Sequence, residues 1–340
     1  MKLIVIIPAL NEEKTIAQVV GGIPRQIPGI DDVEVIVIND GSTDRTGPEA
    51  VAAGALVITL PGGGGLGQVF RTGIERAMQR GADIVVNVDG DGQFDPADIP
   101  RLVTPIVDDQ ADFVTCTRFK DPALWPQMPK VKFWGNRAVT GLINWVCGGT
   151  RFTDVSCGFR AFSREATCRM TLFGRFTYTQ ECFIDLVAKG LRIMEVPLKV
   201  RGVREHGKSR MASSVFKYAT NSLPIILRAM RDIQPLKFFG GIAMVLGFLG
   251  LMGLAFVTWW YLTHNNRTHP FTSLIPISGV LVTLAVLVGA LALLADMMGR
   301  HRRISEELLY LARRRVYTDR TPRPVSTMVR PRATASTSAP

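Results

Sequence analysis

Short apolar runs recur along the first two hundred residues, separated by polar stretches with helical patterning. Lys2 to Ile7, Val33 to Ile38, Ala55 to Leu60, Asp83 to Val88 and Asp112 to Thr117 read as strands, with helices near 12–22, 44–53, 66–80 and 97–108. That alternation predicts an α/β fold on an open, mostly parallel sheet, and a run such as Leu3-Ile4-Val5-Ile6-Ile7 suits a strand covered on both faces. Near residue 119 the rhythm breaks. Pro122, Pro126 and Pro129 there predict a long loop instead of another repeat.

A different pattern governs the C-terminal part. Phe238 to Leu262 and Phe271 to Ala295 are two stretches of 25 residues without a charge, longer than the roughly 20 that cross a bilayer core of about 30 Å. Two core helices would show polar positions at helical spacing, and these do not. Eight residues separate the stretches, so they predict a transmembrane hairpin with both ends on one side. Trp259, Trp260 and Tyr261 fit an aromatic belt at one membrane edge. Arg228, Arg231 and Lys237 precede the hairpin, Arg300, Arg302 and Arg303 follow it, and only Arg267 lies in the turn. That asymmetry predicts a protein of the cytoplasmic membrane with both termini and the large domain in the cytosol. Leu3 to Ile7 is too short for a signal peptide. The expected division is a catalytic domain over 1–211, amphipathic juxtamembrane helices over 212–237, spans over 238–262 and 271–295, a basic helix over 300–316, and a disordered tail over 317–340.

At 340 residues and 47% hydrophobic content the chain can bury a large core, which excludes a disordered or fibrous protein. The net charge of +11 is concentrated, since ten Arg against three acids fall after residue 299. This points to anionic lipid as a partner and away from nucleic acid. The five Cys show no C-x-x-C spacing, so reduced thiols are expected and a zinc site is not.

Candidate chemistry lies where the strands end. One acidic cluster is Pro8-Ala9-Leu10-Asn11-Glu12-Glu13, a second Asn39-Asp40-Gly41-Ser42-Thr43-Asp44, a third Asp89-Gly90-Asp91-Gly92-Gln93. Open α/β sheets bind ligands at the carboxyl ends of their strands, and three such clusters would repel one another without a cation. Helix capping competes as an explanation at Asn11, Asp40 and Ser42, but hardly at Asp89 and Asp91. Asp-x-Asp-x-Gln offers hard oxygen ligands in a tight turn, as Mg²⁺ or Mn²⁺ needs when it also holds a diphosphate.

These three motifs, in this order and spacing, resemble the GT-A nucleotide-sugar-binding core of family 2 glycosyltransferases, specifically the dolichyl-phosphate mannose synthase-like branch that loads sugars onto polyprenyl phosphate. Thr117-Arg118, Asp154 to Arg160, Thr179-Gln180-Glu181 and Glu205 to Arg210 extend the likeness over roughly residues 1–235. The resemblance implies an inverting membrane hexosyltransferase with a UDP- or GDP-sugar donor, a polyprenyl phosphate acceptor and Mg²⁺ or Mn²⁺. It implies that Pro8, Ala9, Asn11, Glu12 and Asp40 line the nucleotide pocket, joined by Arg204 and Arg210, while Asp89, Asp91 and Gln93 bind metal and diphosphate. Arg118, Lys132, Asn136, Lys208 and Ser209 are then expected at the acceptor phosphate, and Glu181 or Asp154 at the sugar hydroxyls. Catalysis is expected of Asp89, Asp91, Arg118, Glu181 and Lys208.

Where relatives carry Asn-x-Gly-x-Gly near the third strand, this chain has Pro61-Gly62-Gly63-Gly64-Gly65-Leu66-Gly67, and where they carry Ala between the metal Asp residues it has Gly90. Gly62, Gly64 and Gly67 also satisfy the dinucleotide pattern G-x-G-x-x-G, though after the third strand and not the first. The stretch is read as a lid over the donor or as a tight turn. The basic run Lys199 to Lys217 is either a solvated loop or a clasp over two phosphates, with His206 a spacer or a ligand. No Q-x-x-R-W follows Thr179-Gln180-Glu181, which counts against a polysaccharide synthase. Another acceptor such as diacylglycerol, a non-catalytic nucleotide-sugar-binding scaffold, and a homo-oligomer through the transmembrane or C-terminal helices stay open.

Overall fold

A computed structural model describes residues 1–172, 178–201, 224, 227–228, 230–231, 234–264 and 268–318. The five expected strands form as β1 (Lys2–Ala9), β2 (Asp32–Asn39), β3 (Leu56–Thr59), β4 (Ile84–Asn87) and β5 (Phe113–Thr117). Two more, β6 (Arg160–Ser163) and β7 (Ile193–Pro197), complete one sheet in the order β3-β2-β1-β4-β6-β5-β7. Only β6 runs antiparallel, wedged between β4 and β5. Its sequence, Arg-Ala-Phe-Ser, puts a charged and a polar residue at its two ends and offers no apolar run.

Helices α1 (Ile16–Gly21), α2 (Thr46–Ala52), α3 (Leu66–Gln79) and α4 (Ile99–Val107) connect the first strands. Successive side chains of a strand point to opposite faces. Leu3, Val5 and Ile7 of β1 therefore join one core with Ile16, Val19, Ala50 and Leu102, while Ile4 and Ile6 join another with Val69, Phe70 and Ile74. The loop expected from the prolines after residue 119 forms, with a 3₁₀ turn at Pro122–Leu124 and Pro126 in irregular backbone, but it ends at Pro129, the N-cap of an unexpected helix α5 (Lys130–Val146). Helices α6 (Arg164–Arg169) and α7 (Thr179–Ala188) follow.

The first apolar stretch lies inside α8 (Pro235–Thr263), and the second lies inside α9 (Leu274–Thr318) except for Phe271 to Ser273, which precede it. The two helices pack through small residues, for a Cβ at Gly250 would fall 2.8 Å from Val282, and one at Gly253 would overlap Ser278 Oγ. The separate basic helix expected over 300–316 does not exist as such. Nothing in Ala295 to Ile304 breaks a helix, and α9 continues through 45 residues, about 68 Å at 1.5 Å per residue. Its outer turns dock on the catalytic domain. Tyr310 Oη donates to Glu165 at 2.9 Å, Arg313 Nη1 donates to the Met170 carbonyl at 2.7 Å, and the Arg169 guanidinium covers the Tyr310 ring at 4.1 Å. The amphipathic helices expected over 212–237 lie mostly outside the described residues, and Arg267 and the tail from Asp319 lie wholly outside them.

Candidate active site

Pairing of β1 with β2 runs to Ala9↔Asn39, whereas pairing with β4 stops at Ile6↔Asn87. Pro8, which has no N–H to offer a ladder, lies beyond that last pair. Strand order reverses between β1 and β4, the place where open sheets bind ligands in the crevice beyond the strand ends. Asp40, at the end of β2, is buried, and its Oδ1 has no hydrogen-bond partner among the described residues.

Asn11 and Ser42 are not helix caps, since α1 starts only at Ile16 and α2 at Thr46. Asn11 takes a left-handed φ of 53°; its N–H donates to Ser42 Oγ at 2.9 Å, and its Oδ1 accepts the Thr43 N–H at 2.8 Å. The Glu12 N–H donates to Thr46 Oγ1 at 2.8 Å. These bonds stitch the loops after β1 and β2 into one rim. The glycine stretch closes it as a tight turn. A Cβ on Gly41 would lie 2.7 Å from Gly62 Cα, and Gly62, Gly63 and Gly65 all have positive φ, so the two backbones touch in a geometry that side chains would prevent.

The turn after β4 is held from two sides. Thr15 Oγ1 donates to the Gly90 carbonyl at 2.7 Å, and Asp91 Oδ1 accepts the Gln93 N–H at 3.0 Å. A Cβ on Gly90 would meet nothing closer than 3.4 Å, so the Ala of relatives fits here. Gln93 Nε2 donates to the Arg201 carbonyl at 3.1 Å, so its amide oxygen is not engaged by that bond. Two carboxylates and an amide oxygen are a hard donor set suited to Mg²⁺ or Mn²⁺. Asp89 rests against Gly158, whose carbonyl accepts from Asn87 Nδ2 at 2.8 Å. Burial pushes the Tyr178 phenol well above its usual value, and the charge of Asp89 adds to the rise. Asn87 and Tyr178 were missed in the sequence, although a polar residue closing the apolar run Ile84-Val85-Val86 is a signal.

Arg118 follows β5 and forms a two-pronged pair with Asp154, Nε to Oδ2 at 2.6 Å and Nη2 to Oδ1 at 3.0 Å. Asp154 is fully buried in that pair, so it orients Arg118 and does not reach sugar hydroxyls. Burial alone would raise its carboxyl, but the guanidinium holds it below the usual carboxylate range. Glu195 on β7 accepts the N–H groups of Thr153 and Asp154, both at 2.8–3.0 Å, and is itself raised by burial. Asn136 Nδ2 reaches Asp154 Oδ1 at 3.3 Å, joining α5 to the Arg118 group, and Lys132 lies one helical turn earlier. Glu181 sits in the first turn of α7, partly exposed. Arg204, Lys208, Ser209 and Arg210, with His206, lie outside the described residues. The five cysteines are free thiols, and burial pushes Cys182 up to about 12.

The outer face of α5 was also missed. Val131, Trp134 and Trp145 are 61–66% exposed on it, and Gln234 Nε2, next to the first residue of α8, donates to the Val146 carbonyl at 2.9 Å.

A mostly parallel sheet with an acidic turn at its reversal point and two apolar helices behind it defines a GT-A-like α/β enzyme. The model of the glycosyl transferase family 2 matches residues 4–169. A UDP-N-acetylglucosamine–dolichyl-phosphate N-acetylglucosaminyltransferase of Methanococcus voltae is 33% identical over 214 residues, 57% of this chain and 83% of its own. The chain therefore belongs to glycosyltransferase family 2 and is a glycosyltransferase. A polyprenol monophosphomannose synthase of Mycolicibacterium smegmatis is 27% identical over 230 residues, 64% of this chain and 83% of its own. Among solved structures, glucosyl-3-phosphoglycerate synthase from Mycobacterium tuberculosis, in complex with Mn²⁺, UDP and phosphoglyceric acid, aligns with a TM-score of 0.53 at 25% identity, covering 67% of this chain and 78% of that one. Family membership removes the dinucleotide reading of Gly62, Gly64 and Gly67.

Proposed function

We propose that this enzyme transfers a hexose from a UDP- or GDP-linked donor to a polyprenyl phosphate at the cytosolic face of the membrane, with inversion at the anomeric carbon. One observation carries the lipid acceptor. Asn136 reaches the Arg118–Asp154 pair from α5, whose other face carries exposed Trp134 and Trp145 and whose end is tied to Gln234 at the membrane helix. Exposed tryptophans beside a membrane entry suit the interfacial layer. The acceptor groups and the bilayer thus meet on one helix. The relatives named above supply the same acceptor class in their own reactions.

The chemistry asks little of the protein. A lipid monophosphate has a second pKa near 6 and is already an anionic nucleophile at pH 7, so no general base is required. Arg118, oriented by Asp154, holds the acceptor phosphate through Nη1, which takes no part in the buried pair. Pro8, Ala9, Asn11, Glu12 and Asp40 hold the nucleotide, and Asp40 Oδ1 lacks the donor that a bound nucleoside can provide. Asp89, Asp91 and Gln93 would hold Mg²⁺ or Mn²⁺, which when bound neutralises charge on the departing diphosphate. A phosphate oxygen then attacks the anomeric carbon as the bond to the diphosphate breaks. Arg204, Lys208, Ser209 and Arg210 are assigned to the two phosphate groups and Glu181 to the sugar, by resemblance. Alignment of two anions supplies the rest of the rate.

The test is transfer of label from a panel of UDP- and GDP-sugars into the lipid fraction of membranes carrying the enzyme. Label should enter a mild-acid-labile polyprenyl phosphate product, and Asp91→Ala or a chelator should remove it. Label on diacylglycerol, or undiminished transfer by Asp91→Ala in chelator, would overturn the acceptor or the metal assignment respectively.

A further inference from the structure

The Asp89 carboxylate has a wall behind it. A Cβ on Gly158, in the loop before β6, would sit 2.9 Å from Asp89 Oδ2 and 3.1 Å from Oδ1. Gly158 is absent from the glycines with positive φ, so its missing side chain answers to space and not to backbone conformation. The Gly158 carbonyl accepts from Asn87 Nδ2 at 2.8 Å and from the Tyr178 hydroxyl at 3.4 Å, while Asn87 Nδ2 also donates to Tyr178 Oη at 2.8 Å. These three groups close a triangle, and all three residues are buried.

The phenol cannot swing out of it. Its ring stacks on Phe70 with centroids 3.7 Å apart and planes 2° from parallel. Arg160, fully buried 5.6 Å from the ring, donates to the Cys157 carbonyl at 2.7 Å and the Thr179 carbonyl at 2.8 Å, one beside each member of the Gly158–Tyr178 contact. Packing alone does not call for this arrangement. Asn87 closes the strand Ile-Val-Val-Asn, where an apolar residue would bury more cheaply, and its Oδ1 is buried without a partner among the described residues. Two residues further on stands Asp89.

We propose that Asn87 and Tyr178 are positioning residues which, by gripping the Gly158 carbonyl, set the wall against which Asp89 rests and hence the direction in which its carboxylate meets the donor's metal and diphosphate. The inference rests on the proposed function and adds to it two residues that touch neither substrate.

Binding of Mn²⁺ to the purified full-length enzyme in the presence of UDP, read from the electron paramagnetic resonance of free Mn²⁺, tests it. Tyr178→Phe keeps the stack on Phe70 and removes only the hydroxyl; Gly158→Ala pushes a methyl toward Asp89. Loss of a group that orients a metal ligand typically costs about 10- to 100-fold in metal affinity. Each variant is expected to weaken Mn²⁺ binding by about 10-fold, with Tyr178→Phe still folded at the assay temperature and its KM for polyprenyl phosphate unchanged. Wild-type Mn²⁺ affinity in Tyr178→Phe overturns the positioning role even if Gly158→Ala fails to fold. Failure of the underlying function looks different: the wild-type enzyme would then bind no Mn²⁺ that Asp89→Asn removes, and the inference would fall with it.

Discussion

Asp154 and Arg118 bring a full negative and a full positive charge into the interior, and each is tolerable only beside the other. The carboxyl is held below its ordinary range, so its contribution to stability is present above the unfolded pKa of about 3.9 and disappears only as pH falls through the lower folded value. Removing the guanidinium reverses the sign. In Arg118→Met burial is opposed only by the hydrogen bonds from Ser156 and Asn136, so the Asp154 carboxyl rises, and the variant should lose about 3–5 kcal/mol near pH 7 and recover part of it as the pH falls. Thermal unfolding in detergent at pH 5 and pH 8 checks this; a variant destabilised equally at both would mean that Asp154 is not left charged and unpaired. At this scale the sequence was informative where chemistry is local. Asp89, Asp91 and Gln93 follow the apolar run that ends at Val88, so their place at a strand end was legible, whereas Lys132 and Asn136 came only with the family resemblance. The pair of Asp154 with Arg118 spans 36 residues and that of Asn87 with Tyr178 spans 91, and no spacing rule reaches so far.

Elements were legible where the β-α-β rhythm held. Strands β3 and β4 are as short as β6, four residues each, yet were legible because their apolar runs fall inside that rhythm; β6 (Arg-Ala-Phe-Ser) and β7 (Ile-Met-Glu-Val-Pro) lie after it breaks and each carry a charged residue within the run. The three prolines before α5 do lie in a loop, but Pro129 is also the N-cap of α5, and that helix was hidden by the proline run ahead of it. Continuity of α9 was hidden by the change from apolar to basic composition, which alters the solvent around a helix without breaking it. That continuity is testable. Two alanines inserted after Met298 turn the following residues by about 200° and lift them by about 3 Å, taking Tyr310 and Arg313 away from Glu165 and Met170. Transfer should fall by about 100-fold while nucleotide binding, measured on the same preparation, is kept. Full transfer would show that the outer turns of α9 do not position the catalytic domain.

For the whole molecule, the proposed orientation puts the catalytic domain, α9 beyond the bilayer and the tail on the cytosolic side, from the excess of Arg and Lys flanking the hairpin over the single Arg267 in its turn. Protease added to sealed inside-out vesicles should remove the tail, and protease added to right-side-out vesicles should spare it. The opposite result would separate the crevice from cytosolic nucleotide sugars. On this orientation the unbroken α9 acts as a depth gauge: one rigid rod is anchored in the hydrocarbon at one end and bolted to α6 at the other, so the crevice stands at a set height above the lipid surface. Only what crosses that gap can be inspected, the phosphate and the first units of its chain. The remainder of the proposed polyprenyl tail would stay dissolved in the bilayer and go unread, so the enzyme is expected to be indifferent to tail length and to leave that choice to whatever makes the lipid.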